Sequence, residues 1–219
     1  MTLSKRGFDI GLLILLSVVL VPLLMILVII MLVRGERPIF FGAERMHDPT
    51  RRFTLWKLRT MTPDDNDKGV SGGDKRDRIT PMGHRLRRTR MDELPQMWNI
   101  LRGDISFVGP RPPLARYVQQ FPEIYGEVLR ARPGVTGLAT LVFASHEEAL
   151  LRGCTTPEQT ERVYVRRCVP RKAHIDRLYQ KNQGLCLDAY LVALTAGRFL
   201  GLVGRKGRLP RRRGRPQSR

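Results

Sequence analysis

The stretch MDELPQMWNILRGDISFVGPRPP, residues 91–113, combines two adjacent acids, a short apolar helix pattern and an arginine set between prolines. Its apolar residues recur at the spacing of one helix face, which predicts a helix with an apolar stripe. The stripe consists of Leu94, Met97, Trp98 and Leu101. Pro95 suits the first turn of such a helix and Gly103 its C-terminal cap. Beyond the cap, the prolines predict an extended segment that holds Arg111 stiffly.

The acid pair Asp92-Glu93 has two interpretations. Acids at the start of a helix interact favourably with its positive end, and this role needs no further function. Alternatively, one carboxylate acts as a nucleophile while its neighbour acts as a base or orients a metal ion. The preceding residues 82–90, MGHRLRRTR, place four arginines within six positions, and such charges keep nearby carboxylates ionised. Spacing alone leaves both interpretations open.

Residues 10–33 form a run of 24 residues without a charge. As a helix this run would be about 36 Å long, enough to cross a hydrocarbon core of about 30 Å. The run is too long for the core of a cleaved signal peptide and has no small-residue cleavage site after it. Pro22 near its middle and basic residues at both ends suit a helix that bends and returns. A single-pass anchor remains the alternative on the residues alone.

The formal net charge is +19, and residues 205–219 carry eight basic residues and no acid. Beside a membrane segment, such a run favours binding to anionic lipid over binding to nucleic acid, and we expect much of this tail to be disordered. The three cysteines are widely spaced, which indicates neither a disulfide framework nor a zinc site.

Residues 38–46 and 51–61 flank the turn signal HDPT, a pattern typical of a β-hairpin. Alternation along the second strand puts Lys57 and Arg59 on one face, where two cations can hold a diphosphate or line a solvated edge. The polar residues 62–81 follow, with Asp64, Asp65 and Asp67 but without the full calcium-loop pattern, which favours a mobile connection or lid.

The C-terminal half contains further helix signals. Thr156 is expected to cap a helix that has Pro157 in its first turn and ends at Pro170. Residues 185–203 are apolar apart from Asp188 and Arg198, and we expect them to lie at the membrane interface because the basic tail follows.

The motif DELPQMWNILRGDISFVGPRP closely resembles the signature of the monotopic phosphoglycosyl transferases, also called bacterial sugar transferases. The stretches KRGFDI, FTLWKLRTM, RPGVTG and HIDRLY resemble other elements of that family, so the similarity covers most of the chain. The resemblance implies an α/β fold: a mostly helical compact domain with a small β-hairpin, an N-terminal re-entrant membrane helix broken at Pro22, and interfacial amphipathic helices. The expected divisions are the membrane helix at 1–37, the catalytic domain at 38–204 and the tail at 205–219.

The resemblance also implies an activity, the transfer of a sugar-1-phosphate from a UDP-sugar to polyprenol (undecaprenyl) phosphate with release of UMP. This is the first membrane step of surface-glycan biosynthesis, on the cytoplasmic face of the bacterial inner membrane, and downstream glycosyltransferases are possible partners. Asp92 would be the nucleophile that forms a phosphosugar–enzyme intermediate and would lie against Mg²⁺, and Glu93 would deprotonate or orient the polyprenol phosphate. The implied phosphate contacts are Lys57, Arg59, Arg87, Arg111 and Arg132.

Two departures from the family pattern leave the sugar open. Leu138 and Thr140 stand where many members carry Trp and Gln, and residues 141–154 differ from the commoner Asn/Gly-rich loop. The chain resembles a short form that lacks the extra N-terminal transmembrane bundle. The competing hypothesis is a non-catalytic, membrane-bound basic scaffold that binds anionic partners, although a scaffold needs neither the acid pair nor Arg111.

Overall fold

The computed structural model describes residues 2–63 and 77–199. The expectations for Asp64, Asp65 and Asp67, and for the tail at 205–219, therefore lie outside the described residues. The described part is mostly helical with a small antiparallel hairpin, which confirms this part of the expected fold.

The described helices run over Leu3–Val33 (α1), Pro81–Arg88 (α2), Gln96–Arg102 (α3), Ala115–Gln120 (α4), Pro122–Val128 (α5), Leu138–Arg152 (α6), Pro157–Val163 (α7), Val169–Lys181 (α8) and Leu185–Phe199 (α9). The described strands are Phe40–Met46 (β1), Arg52–Leu58 (β2), Ser106–Val108 (β3) and Gly134–Thr136 (β4). A 3-10 turn, Met91–Glu93, precedes α3, and a π-helical segment, Tyr164–Cys168, joins α7 to α8.

Helix α1 is one continuous element with Pro22 inside it. The side chain of Thr2 caps its start by accepting a hydrogen bond from the backbone of Lys5. By length and composition α1 can cross a membrane, and most of its apolar side chains are exposed. The helix continues through Pro22, so the expected break at this residue does not end the helix. The re-entrant path stays a prediction.

Buried polar contacts attach the first turn of α1 to the rest of the protein. The ammonium group of Lys5 donates to the carboxylate of Asp188 in α9 across 2.5 Å and to the carbonyl oxygen of Val108 across 3.0 Å. The hydroxyl of Tyr179 in α8 donates to the same Asp188 carboxylate across 2.7 Å. One buried carboxylate thus joins α1, α8 and α9, which explains the single acid in the first turn of the apolar helix α9.

Two further side chains of α1 reach the elements around the central motif. Arg6 donates to the carbonyl oxygens of Ile100 and Leu101 at the end of α3, across 2.6 and 2.8 Å. Asp9 is fully buried and accepts hydrogen bonds from the hydroxyl of Ser106 and the backbone of Phe107 in β3. The KRGFDI stretch therefore docks the apolar helix onto α3 and β3.

Strands β1 and β2 pair antiparallel in the register Arg45↔Phe53 and Phe41↔Lys57, which confirms the hairpin. The carboxylate of Asp48 closes the connecting turn by accepting hydrogen bonds from the backbone of Thr50 and Arg51. Asp is common in turns because its side chain can accept a hydrogen bond from the backbone two residues further along the chain.

Strands β3 and β4 pair in parallel. At Gly109 and Gly134 the two backbones lie so close together that a side chain would not fit between them. A Cβ atom on Gly109 would lie 2.1 Å from the carbonyl oxygen of Arg132, and one on Gly134 would lie 2.2 Å from the backbone nitrogen of Gly109. Glycine at both positions lets the VGPRPP and RPGVTG segments lie side by side. This contact fixes the backbone two residues before Arg111.

The main core lies among the C-terminal helices and includes Tyr117, Leu129, Phe143 and Cys168. Thr156 caps α7 as expected, but Pro170 does not end a helix. It lies in the first turn of α8, where its missing N–H is tolerated, because the π-helical segment carries the chain from α7 into α8. The three cysteines are free thiols.

Candidate active site

The acid pair lies in the 3-10 turn between α2 and α3, and both carboxylates are buried. Arg90, just before the turn, has φ 55°, a left-handed conformation that costs a non-glycine residue about 1–2 kcal/mol. Strain of this kind occurs where the surrounding structure requires a particular geometry. Here it turns the chain so that both acids point inward rather than towards solvent.

Helix α2 packs tightly against the chain that follows β2. A Cβ atom on Gly83 would lie 2.1 Å from the carbonyl oxygen of Thr60, so this position of α2 requires glycine. The guanidinium of Arg87 donates to the hydroxyl of Thr60 across 2.9 Å and to the sulfur of Met61. These contacts place Arg87 close enough for its charge to lower the pKa of Asp92.

Glu93 forms ion pairs with three cations through one carboxylate oxygen. Its Oε1 lies 2.6 Å from Nη2 of Arg111, 3.4 Å from Nζ of Lys57 and 3.5 Å from Nη1 of Arg90. Burial alone would raise the pKa of Glu93, but the charges of Arg111, Lys57 and Arg90 outweigh it and hold the pKa well below its usual range. Glu93 is therefore ionised and serves as the counter-ion of the cluster.

Asp92 differs from its neighbour in both bonding and electrostatics. Its buried Oδ1 has no hydrogen-bond partner among the described groups. Burial, followed by the negative charge of Glu93, raises the pKa of Asp92, although Lys57, Arg87 and Arg111 act in the opposite direction. A buried oxygen without a partner is costly, so its presence points to a group that meets substrate or a metal ion.

Lys57 and Arg111 approach the acids from different elements. Burial, together with the charge of Arg111, lowers the pKa of Lys57 to about 8 despite the nearby carboxylates. The carboxylate of Glu93 raises the pKa of Arg111 and so keeps it cationic. The cluster therefore combines a lysine whose protonation changes near pH 8 with arginines such as Arg111 that keep their charge.

The structure brings only some of the predicted phosphate contacts to the acid pair. Lys57, Arg87 and Arg111 lie there, whereas the described contacts of Arg59 are the carbonyl oxygen of Pro38 and the ring of Phe41. Lys57 and Arg59 share no described partner, because β2 ends at Leu58 and Arg59, just beyond it, bonds to Pro38 instead of Glu93.

Arg132 also lies in a different cluster. It donates to the carbonyl oxygen of Gly103 across 2.6 Å, and burial followed by the charge of Arg6 lowers its pKa. The structure thus places Arg132 at the cap of α3, and its role as a phosphate contact stays a prediction.

Other residues of the central motif position α3. The amide of Asn99 donates to the carbonyl oxygen of Thr54 and to the carboxylate of Asp104, and its oxygen accepts from the backbone of Trp56. Gly103 ends the helix in a left-handed conformation, as expected. The motif therefore docks α3 along β2, which sequence reasoning missed because an asparagine within a helix gives no signal of its partner.

An open apolar groove of about 510 Å³ lies between α1 and α3. Its walls include Leu13, Val21, Phe40, Trp56, Leu94 and Trp98. The predicted stripe of α3 lines this groove, and Trp98 and Leu101 are about half exposed instead of entering the core. Leu94 and Pro95, which follow the acids directly in the sequence, form part of the wall of the groove.

The residues present fit a magnesium ion at Asp92. No group of three or more His, Cys, Asp or Glu side chains suited to a metal occurs in residues 2–63 and 77–199. Mg²⁺ does not need one, because it often binds through one or two carboxylates and completes its shell with water and substrate phosphates. The unpartnered Oδ1 of Asp92 is the available oxygen ligand.

The chain thus combines a buried carboxylate pair among cations with an apolar groove and a long apolar helix. This combination is the class of protein that the fold and the site define. Residues 1–201 match the bacterial sugar transferase family, and the chain belongs to that family. This confirms the family recognised from the central motif.

Named relatives agree with this assignment. The UDP-glucose:undecaprenyl-phosphate glucose-1-phosphate transferase of Klebsiella pneumoniae is 31% identical over 92% of this chain and 40% of that protein. The UDP-N-acetylgalactosamine-undecaprenyl-phosphate N-acetylgalactosaminephosphotransferase of Aeromonas hydrophila is 29% identical over 87% of this chain and 42% of that protein. The uncharacterized sugar transferase EpsL of Bacillus subtilis (strain 168) is 35% identical over 63% of this chain and 67% of that protein. The chain thus spans less than half the length of the first two.

Proposed function

We propose that this protein transfers a sugar-1-phosphate from a UDP-sugar to polyprenol phosphate and releases UMP. The observation that carries the proposal is the buried, unpartnered Oδ1 of Asp92, which lies among cations beside an apolar groove. Phosphoryl transfer needs a positioned nucleophile and fixed positive charge around the phosphoryl oxygens. Relatives named for sugar-phosphate transfer to undecaprenyl phosphate support the same chemistry.

In the first step, a carboxylate oxygen of Asp92 attacks the phosphorus that bears the sugar. A bond forms between this oxygen and phosphorus, and the phosphorus–oxygen bond to UMP breaks, so UMP leaves with the electron pair. Lys57, Arg87 and Arg111 surround the reacting group with positive charge and stabilise the negative charge on the departing phosphate. The product of this step is a phosphosugar–enzyme intermediate.

In the second step, an oxygen of polyprenol phosphate attacks the same phosphorus and restores the carboxylate of Asp92. Glu93 is a weak base in its observed surroundings, because three cations lower its pKa. This supports an orienting role over proton removal. Glu93 holds Arg111 and Lys57 in place, and these cations in turn position the acceptor phosphate.

Mg²⁺ is the proposed cofactor, with Asp92 as its protein ligand. When bound, the ion neutralises charge on the diphosphate oxygens. Several cationic side chains are already present, so the ion adds to positive charge that the protein itself supplies.

The proposed location is the cytoplasmic face of the bacterial inner membrane. The exposed apolar side chains of α1 support insertion into lipid, and a re-entrant path keeps both ends on one side. The groove beside α1 is the proposed place for the first isoprene units of the acceptor, since its apolar wall includes α1 and the residues that directly follow the acid pair in the sequence. Interfacial helices and the basic residues 205–219 would add contacts to anionic lipid.

The product, a polyprenol diphosphate sugar, is the starting point for surface-glycan assembly. The proposed downstream partners are glycosyltransferases that extend it. The relatives carry names for different sugars, and the departures at Leu138, Thr140 and residues 141–154 leave the donor open.

The test is release of UMP by the purified full-length protein with Mg²⁺, a panel of UDP-sugars and polyprenol phosphate. One donor should give turnover only when the acceptor is present. With that donor alone, intact-protein mass should show an added sugar phosphate on the wild type and not on Asp92→Asn. Turnover in the Asp92→Asn variant would remove the nucleophile assignment, and no UMP from any UDP-sugar would contradict the proposed reaction.

A further inference from the structure

Arg45 in β1 is a half-buried cation near Lys57 and Arg111 that no motif assigned to the site. In the part of the chain that the structure describes, it has no carboxylate partner. Its described side-chain hydrogen bond runs 3.0 Å to the carbonyl oxygen of the adjacent Glu44. Charges withdrawn from water are normally paired, so this guanidinium lacks the counter-charge that its position calls for.

The hairpin register places Arg45 on the same face as Lys57. Arg45 lies opposite Phe53, and Lys57 follows four residues later in β2, so their side chains leave the same side of the ladder. The backbone nitrogen of Met46 donates to the carbonyl oxygen of Pro113 across 3.0 Å, which holds β1 beside the segment that carries Arg111. Arg45 and Lys57 thus flank Arg111 from the two ends of one hairpin face.

The surrounding charges do not neutralise Arg45. Burial and the positive charge of Arg111 lower its pKa to about 10, so it remains a cation at neutral pH. Tyr117 and Tyr164 face it, but burial raises the pKa of both phenols, which are therefore neutral. Glu93 is already shared among Arg111, Lys57 and Arg90. Among the described residues, no carboxylate therefore balances the charge of Arg45.

We propose that Arg45 binds a phosphate group of a substrate and is a further phosphate-binding residue of this site. Arginine suits the task because its planar group can donate two parallel hydrogen bonds to phosphate. The identity of the phosphate rests on the proposed function. It belongs either to the nucleotide sugar or to the polyprenol phosphate, and the experiment separates the two.

The test compares Arg45→Gln and Arg45→Lys with the matched control Arg52→Gln in the full-length protein. Arg52 belongs to the same hairpin but forms an exposed ion pair with Glu44. Loss of a hydrogen bond to a charged group predicts a fall of about 10- to 100-fold in kcat/KM for Arg45→Gln. Arg45→Lys should recover part of this loss because it retains the charge, and Arg52→Gln should match the wild type.

Each substrate is varied in turn while the other is saturating. A higher KM for the UDP-sugar, with a slower UMP burst in the absence of acceptor, assigns the phosphate to the donor. A higher KM for polyprenol phosphate with a normal burst assigns it to the acceptor. A kcat/KM for Arg45→Gln within twofold of the wild type for both substrates would overturn the inference.

Thermal unfolding distinguishes binding from a structural role and does not depend on turnover. Without ligand, Arg45→Gln should keep the wild-type Tm, while the rise in Tm caused by UDP or by farnesyl phosphate should shrink. A lower Tm without ligand and an unchanged rise with ligand would overturn the inference. If the wild type releases no UMP, the proposed function fails, and these ligand-induced shifts still decide the role of Arg45. Absence of any shift in the wild type would then count against an anion site.

Discussion

The guanidinium of Arg111 donates to Oε1 of Glu93 across 2.6 Å, whereas the neighbouring Asp92 keeps a buried oxygen without a described partner. Two adjacent acids thus have opposite environments. Cations lower the pKa of Glu93, while burial and Glu93 raise the pKa of Asp92. This difference supports the proposed roles, a counter-ion for Glu93 and a reactive group for Asp92, and leads to the first two predictions.

Replacing Asp92 with Asn should raise the free energy of unfolding at neutral pH by about 0.5–2 kcal/mol, the usual size of a stabilising substitution. The neutral amide removes the repulsion with Glu93. Because the pKa of Asp92 is raised in the folded protein, its cost is present at neutral pH and disappears below the ordinary value of 3.8. Denaturant unfolding at several pH values measures the difference. A strongly destabilised variant would contradict this assignment of Asp92.

Replacing Glu93 with Gln should lower the free energy of unfolding by about 3 kcal/mol, because Arg111 and Lys57 lose their shared counter-ion. The pKa of Glu93 is lowered by folding, so this contribution is present above its ordinary value of 4.5 and is lost as pH falls below it. Urea unfolding of the wild type and of Glu93→Gln at neutral and acid pH measures both the loss of stability and its dependence on pH. Glu148→Gln, in an exposed pair with Arg152, is the control and should change stability by less than about 1 kcal/mol.

The activity should fall above about pH 8 as Lys57 loses its proton. Folding lowers the pKa of Lys57 to about 8, and phosphate binding needs the charged form. Because kcat/KM reports the free enzyme, its pH profile should show this descending limb. In Lys57→Arg the limb should move to higher pH, since arginine keeps its charge. An identical limb in that variant would assign the titration to another group.

Breaking the ion pair between Lys5 and Asp188 should loosen the attachment of α1. Their side chains are 12% and 2% exposed, so Asp188→Ala leaves a buried ammonium group and should cost about 3–5 kcal/mol. The measurement is thermal unfolding in detergent. The double variant Lys5→Met with Asp188→Leu should recover most of this loss, because it leaves no unpaired charge. Equal losses in the single and double variants would show that packing, not charge, is responsible.

Replacing an apolar side chain of the groove with a small polar one should weaken binding of the acceptor. In Trp98→Ser, we expect KM for polyprenol phosphate to rise about 10-fold, the effect of losing one large apolar contact, with KM for the UDP-sugar unchanged. The difference in KM between Trp98→Ser and the wild type should be smaller for acceptors with few isoprene units. Leu178→Ser, at an exposed apolar site outside the groove, is the control. A rise in KM for the UDP-sugar instead would place the donor in this groove.

Local patterns predicted much of the architecture. The uncharged run indicated α1, the HDPT turn indicated the hairpin, and Gly103 marked the end of α3. Each of these signals depends on neighbours in the chain, such as a cap, a turn or a helical period. Pro170 misled the prediction because the π-helical segment before it carries the helix onward, and a π-helical segment has no clear sequence signal.

The sequence by itself determined the long apolar helix, the acid pair at the start of α3 and the family to which the chain belongs. Only the tertiary structure decided which cations reach those acids. Lys57 and Arg111 meet at Glu93, whereas Arg59 and Arg132 bond to other partners, and Arg45, outside the predicted set, lies on the same hairpin face as Lys57. The physical reason is that long basic side chains can reach several partners, and strand register and backbone approach, set by residues far apart in sequence, select among them.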